Sequence, residues 1–164
     1  MWENRQVIAM RCMIPHEDYN NETLENDIML LKLAHRAAIN SNVKLIALPQ
    51  PNYVVKPGTT CSMAGWGMTG LGKKTNVLQE VDLKMGDQKQ REEKDDLFNS
   101  ATMIFTGDEK DHKPPFEGDS GGPLVCNYTA QGIVSYGMNS DLPPTVYMCV
   151  LAYIPWIMSN MGKE

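Results

Sequence analysis

Residues 115–126 read PFEGDSGGPLVC. Glycines at 118, 121 and 122 surround Asp119-Ser120, and the apolar run Leu124-Val125-Cys126 follows, so a hydroxyl is carried on a turn just ahead of a strand-like segment. Gly118-Asp119-Ser120-Gly121-Gly122 satisfies the G-x-S-x-G pattern of a hydrolase nucleophile elbow, where glycines permit the tight turn that exposes the serine. By itself this pattern is weak. In an α/β-hydrolase the acid and the histidine follow the serine, and no histidine lies beyond His112. That class is excluded.

Outward from this stretch, the chain reads as short strands separated by Gly, Pro and Asn. Expected strands are 5–11 (RQVIAMR), 27–33 (DIMLLKL), 60–66 (TCSMAGW), 78–85 (LQEVDLKM), 101–105 (ATMIF), 123–126 (PLVC), 131–137 (QGIVSYG) and 145–151 (TVYMCVL). Short strands with turn signals at this spacing predict an all-β barrel or sandwich. In the tail, Leu151, Ile154, Ile157, Met158 and Met161 fall at helical spacing and Gly162 follows, which predicts a terminal helix packed by that face. Pro155 fits such a helix only near its first turn. The mixed-charge run 86–96 (GDQKQREEKDD) predicts a solvated loop or surface helix.

A hydrophobic content of 42% over 164 residues suffices for one folded domain with a buried core. A formal net charge of −5 and the lack of a Lys/Arg-rich face argue against nucleic acid or an anionic membrane as partner. No apolar run approaches the roughly 20 residues that span a bilayer, and the start shows no signal-peptide pattern. Four cysteines, Cys12, Cys61, Cys126 and Cys149, allow three full pairings and contain no CxxC, so no metal site is expected. If Cys61 and Cys126 pair, closing about 65 residues contributes roughly 4 kcal/mol in the chain-entropy model, in an oxidising compartment only. Asn21-Glu22-Thr23 and Asn127-Tyr128-Thr129 satisfy the N-glycosylation rule.

Five blocks extend the reading: NDIMLLKL (26–33), CSMAGWG (61–67), GDSGGPLVC (118–126), GIVSYG (132–137) and PWIMSNM (155–161). In order and spacing they resemble the chymotrypsin-like serine proteases over almost the whole chain. IPHEDYN (14–20), PFEGDSGG with Phe116, and PPTVYMCV (143–150) resemble the granzyme and mast-cell-protease branch. The resemblance implies a double β-barrel, with residues 1–50 as the remnant of a truncated first barrel. Residues 51–164 would form a complete second barrel with a C-terminal helix.

What it implies for the site is residue-specific. Ser120 matches the nucleophile, and the N–H groups of Gly118 and Ser120 match the oxyanion hole. Asp27 matches the acid that orients the catalytic histidine; without the resemblance it would read as a polar residue at a strand end. Asp119 matches the carboxylate that pairs with a freed N-terminal amine. Ser135-Tyr136-Gly137 matches the edge that binds extended substrate, and Pro114, Pro115, Gly137 and Thr145 match the pocket walls. No carboxylate at Pro114 and no cation at Thr145 point away from basic and acidic substrate side chains and toward apolar or aromatic ones, although two adjacent prolines would equally deform the pocket. The resemblance implies a Cys61–Cys126 disulfide, no cofactor, peptide or protein substrates, and a secreted or granule location.

Departures from the family decide the expected activity. The family's histidine precedes its aspartate by roughly 45 residues, whereas Asp27 has 26 residues ahead of it. No TAAHC-type block and no IIGG-type start are present. His16, His35 and His112 read as loop or packing residues, not as bases. Phe105 stands where relatives carry a cysteine, and its partner cysteine is absent from REEKDDLFN (91–99), so one bridge is lost as a pair. Cys12 and Cys149 match no family disulfide, and Cys149 is expected as a buried free thiol. Three functions follow as expectations. The first is a protease domain inactive in this form, the second a fragment active with a separate N-terminal half, and the third a non-catalytic peptide-binding module. Exposed first-barrel surface is further expected to drive self-association.

Overall fold

The computed structural model describes residues 5–67, 75–107, 118–139 and 142–162. Among these, the elements in chain order are β1 (Met10–Pro15), β2 (Met29–Leu33), β3 (Thr60–Gly65), β4 (Gln79–Lys84), α1 (Gln88–Glu92), β5 (Met103–Thr106), β6 (Pro123–Cys126), β7 (Thr129–Asn139), β8 (Leu142–Cys149) and α2 (Val150–Met161). β1 and β2 form an antiparallel pair, and the other strands form one antiparallel sheet in the order β4-β3-β6-β7-β8-β5. The edges of this sheet meet. Met85 bridges to Thr106, Gly86 N donates to Phe105 O at 3.0 Å, and Gly107 N donates to Lys84 O at 3.1 Å.

Period-2 alternation sorts the side chains. Cys61 and Met63 of β3, Leu83 of β4, Leu124 and Cys126 of β6, Val134 of β7 and Tyr147 of β8 share one core with Met85. On the opposite face of β8, Val146 and Met148 join Met103, Phe105, Phe98, Ile28 and the inner face of α2. β8 is therefore buried on both faces, which is why VYM (146–148) is a continuous rather than alternating apolar run. Within the first core, Cys61 and Cys126 form a disulfide whose Cα atoms lie 4.4 Å apart. The β6–β7 hairpin turns through Asn127 and Tyr128, both at positive φ (49° and 60°), the handedness that matches strand twist in a two-residue turn.

Four expectations need correction. β1 begins at Met10, not at residue 5: Gln6 replaces the ladder there, its side chain donating to Ala38 O at 2.7 Å and accepting from Ala38 N at 2.8 Å. The last strand stops at Cys149 and α2 starts at Val150, so the helix is rotated from the expected face. Its buried stripe is Val150, Tyr153, Trp156, Ile157 and Asn160, while Met158 and Met161 are exposed. Pro155 lies inside α2 rather than in the first turn. It is exposed on the outward face, opposite the buried stripe that holds the helix to the core. Finally, the charged run 86–96 contains the short helix α1, yet Arg91 within it is buried. Its guanidinium pairs with Asp95 at 2.6 Å and lies 5.9 Å over the Phe105 ring, which offsets the cost of burying the charge.

Candidate active site

Asp27 ends a tight loop. Asn20 Oδ1 accepts from Glu22 N (2.8 Å) and Thr23 N (3.2 Å), and Asn26, at φ 55°, donates through its side chain to Asp18 O at 3.0 Å. Asparagine tolerates that left-handed conformation better than most residues. Tyr153 of α2 then donates to Asn26 Oδ1 at 3.1 Å, tying the loop to the helix. With the loop fixed, the half-buried Asp27 carboxylate accepts from Ser135 Oγ at 2.6 Å.

Ser135 sits where β7 is irregular. Val134 pairs with Tyr147 and Tyr136 with the next residue back, Val146, so Ser135 is an extra residue in the ladder. The extra residue puts Tyr136 on the face of Ile133, where regular pleating would put it with Val134, and Ser135 sits at that irregularity beside Asp27. The sequence motif marks Ser135 as substrate edge, and nothing in it signals the bulge or the bond to Asp27.

The serine loop is secured to the same strand. Gly121 N donates to Val134 O, Val134 N to Gly122 O, and Gly122 N to Asp119 O, each at 2.9 Å. Gly118 (φ 99°) and Gly121 (φ 80°) supply the left-handed conformations that turn the chain here. Ser120 is exposed at the tip, and its hydroxyl has no partner among the described residues. Thus Asp27, through Ser135, and Ser120, through Gly121 and Val134, are brought to neighbouring positions along one strand.

Asp119 points back into the fold. Its Oδ1 accepts from Gly67 N at 2.8 Å, and side chains at Gly65 or Gly67 would collide with its carboxylate. The glycines of CSMAGWG thus make room for Asp119, a link between two blocks that spacing alone does not reveal.

Past Val134, β7 is paired to β8 only, so the other backbone edge of Ser135-Tyr136-Gly137 has no ladder partner among the described residues. Thr145, opposite Gly137, is buried. Behind it, the Thr106 and Tyr147 hydroxyls share a hydrogen bond at 2.9 Å. Burial raises the Tyr147 phenol well above the usual tyrosine value, the Thr106 bond opposes this, and Asp119 adds a smaller upward push. Tyr136 is pushed up to about 12, first by burial and then by the Asp95 charge, with Arg91 pulling the other way. Pro114, Pro115 and His112 lie outside the described residues.

Neither described histidine is near the serine loop's contacts. His16 packs against Trp156 (centroids 4.9 Å) and Tyr153 (5.6 Å), and His35 is exposed beside the Arg36 carbonyl at 3.3 Å. No cluster of three His, Cys, Asp or Glu side chains placed to hold a metal occurs among the described residues. Cys12 is a free exposed thiol; Cys149 is free and only partly buried, its thiol pushed up chiefly by desolvation. Both sequon asparagines are exposed; Asn127 donates through its side-chain amide to Tyr53 Oη at 3.0 Å.

An antiparallel sheet whose edges meet, with an aspartate and a serine joined along one strand, defines a chymotrypsin-like serine protease frame. The trypsin family model matches residues 2–157, and the chain belongs to that family. Within it the chain lies in the granzyme and mast-cell-protease branch. It is 44% identical to Cathepsin G of Mus musculus over 159 residues (97% of this chain, 61% of that protein). It is 49% identical to Duodenase-1 of Bos taurus over 160 residues (97% and 64%), and 45% identical to Granzyme B of Rattus norvegicus over 162 residues (98% and 65%). The chain thus spans somewhat less than two thirds of the length of these relatives. A solved structure described as GrC superposes with a TM-score of 0.91 at 41% identity, covering 98% of this chain and 72% of that one.

Proposed function

We propose that these 164 residues are the aspartate- and serine-bearing part of a granzyme-like serine endopeptidase, and that by themselves they do not turn over peptides. The observation that carries this reading is the pair of tethers to β7: Asp27 to Ser135 at 2.6 Å, and Gly121, next to Ser120, to Val134 at 2.9 Å. In the reaction this arrangement serves, Ser120 Oγ bonds to the scissile carbonyl carbon and its proton passes to a general base. The Gly118 and Ser120 N–H groups stabilise the oxyanion. Collapse of the tetrahedral intermediate breaks the C–N bond, and the base returns the proton to the leaving amine. Water repeats the sequence to free Ser120. A base must lie within about 3 Å of the proton it takes. His16 is committed to α2 and His35 to an exposed turn, and neither meets that condition.

The remaining assignments belong to the same reading. Residues 1–50 are first-barrel strands and loops, and 51–164 a complete second barrel with its helix. Asp119 is the activation carboxylate. The free edge of Ser135-Tyr136-Gly137 takes an extended peptide by β-addition, and Gly137 and Thr145 belong to a pocket for an apolar or aromatic side chain. The buried Cys61–Cys126 bridge supports an oxidising, secreted or granule compartment, with Asn21 and Asn127 as acceptors for glycans.

Active-site labelling tests the reading. The refolded chain is expected to react with a fluorophosphonate probe no faster than its Ser120→Ala variant. Rapid labelling that disappears in Ser120→Ala would refute inactivity of the chain by itself.

A further inference from the structure

Asp87, Gln90, Arg91 and Lys94 recur at intervals of three and four, which puts them on one side of the α1 turn. Opposite them lies the seam where the sheet's edges meet, with Lys84 at the end of β4 and Met85, Phe105 and Gly107 beside it. Together with Gly58 and Pro144 these residues enclose a cavity of about 500 Å³, within the size range of pockets that hold small ligands. It shares no residue with Asp27, Ser120 or their tethers.

Two chemistries meet on its walls. Met85, Phe105 and Pro144 are apolar, while Lys84, Arg91 and Lys94 set three cations against the one carboxylate of Asp87, on a chain whose net charge is −5. That carboxylate is engaged as the α1 cap, its Oδ1 accepting from Lys89 N at 3.1 Å. Asp95 neutralises much of the Arg91 charge through Nη2 at 2.6 Å. Lys84 and Lys94, both exposed, have no ion-pair partner among the described residues and supply the excess of positive charge.

Arg91 gives a separate sign. Its side chain is 6% exposed, and its Nε is a buried donor without an acceptor among the described residues. Pairing with Asp95 and stacking on Phe105 account for the burial of the guanidinium but leave Nε unmatched. Buried donors nearly always have an acceptor, so one without calls for an acceptor that enters the cavity. The competing account is internal: Gln88 Oε1, three residues earlier, is also buried without a partner, and rotation of the two side chains would match them.

We propose that this cavity binds a small organic oxyanion, a carboxylate or phosphate monoester carried on a flat apolar body. The head accepts from Lys84 and Lys94 Nζ and, with a slight turn of the Arg91 side chain, from its Nε. The body lies against Met85, Phe105 and Pro144. Gly58, where an added Cβ would meet nothing within 4 Å, lets a flat group approach the backbone.

Titration of the full chain with phenyl phosphate, benzoate, inorganic phosphate and phenol, read by calorimetry and amide NMR shifts, tests this. Phenyl phosphate and benzoate should bind one-to-one with a Kd below about 1 mM, moving amides 84–91, 94 and 105–107. Inorganic phosphate should bind about tenfold more weakly, phenol not measurably, and added salt should weaken both anions. Lys84→Gln and Lys94→Gln should each weaken phenyl phosphate by about five- to tenfold, and Lys89→Gln, on α1 but outside the cavity, should change nothing. Arg91→Lys keeps the charge and removes Nε, and should weaken binding several-fold in a chain whose melting shows that it folds. Unchanged binding in that variant would overturn the role of Nε and assign it to Gln88; if the variant does not fold, the two lysine variants decide. No saturable binding, phenol bound as tightly as phenyl phosphate, or an equal loss in Lys89→Gln would overturn the site. Labelling at Ser120 reads the proteolytic reading separately and is unaffected by any of these results.

Discussion

Asp27 and Ser135 illustrate how one contact between distant residues sets a site. Ser135, at the irregular point of β7, donates to a carboxylate 108 residues away in sequence. A hydrogen bond to a charged group contributes about 1.5–3 kcal/mol, toward the low end where solvent has access. Ser135→Ala should therefore lower stability by about 1–2 kcal/mol in urea unfolding at neutral pH, and Ser135→Thr should recover part of the loss. Equal midpoints for wild type and Ser135→Ala would show that the bond is idle. A second residue-scale prediction concerns Tyr136, held neutral by burial and by Asp95 up to about pH 12. Its folded pKa is raised, so the stability it contributes is complete below about pH 10, the unfolded value, and is lost as pH climbs toward 12. An absorbance titration should show a late-ionising phenol that Tyr136→Phe removes, and Asp95→Asn should bring it earlier. Ser120, Asp119 and Asp27 stand out as candidates in the sequence because each sits in a compact motif. The Ser135 bond and the Asp119 pocket between Gly65 and Gly67 do not, because each depends on a contact between distant blocks.

At the scale of elements, turn chemistry and alternation located most strands to within two or three residues, while the helix face was misread. Ile154, Met158 and Met161 make an apolar stripe as regular as the one actually buried, and only docking against β8 chooses between them. Likewise, the sequence does not reveal what packs at Phe105. Phe105 meets Phe98 edge-to-face at 5.8 Å, lies under Arg91, and occupies the space that Gly86 leaves. An aromatic and cationic cluster thus joins α1 to β5. Phe105→Ala should destabilise the fold by about 3–5 kcal/mol, and Gly86→Ala, whose methyl would enter the ring, should also destabilise it while changing no polar contact. Calorimetric melting checks both. If Phe105→Ala melted like wild type, the cluster would be a bystander and the α1 segment would be anchored elsewhere.

At the scale of the molecule, two kinds of stabilisation are unequally distributed. The sheet of β3 to β8 is closed by the edge contacts of Met85 and Thr106 and crossed by a disulfide separated by 65 residues, worth roughly 4 kcal/mol in the chain-entropy model. The β1–β2 pair has only its inner face packed. Met10, Met13, Met29, Leu31 and Leu33 all remain 43–58% exposed, a contiguous apolar face with open strand edges of the kind that recruits other chains. Self-association should accordingly rise with concentration and be driven by this face, not by the disulfide-bearing sheet. Leu31→Lys, which puts a charge at its centre, should shift the chain toward monomer in sedimentation without lowering the melting temperature, since Leu31 contributes little to the core. Tyr128→Lys, at a fully accessible hairpin turn on the other sheet, should leave association unchanged. Alkylation of Cys12 on β1 gives an independent reading: its rate should fall as the wild-type protein is concentrated and stay constant for Leu31→Lys. A wild-type chain that remains monomeric at all concentrations, with Cys12 reacting at one rate throughout, would mean that this face is compatible with solvent and that assembly is driven from another surface.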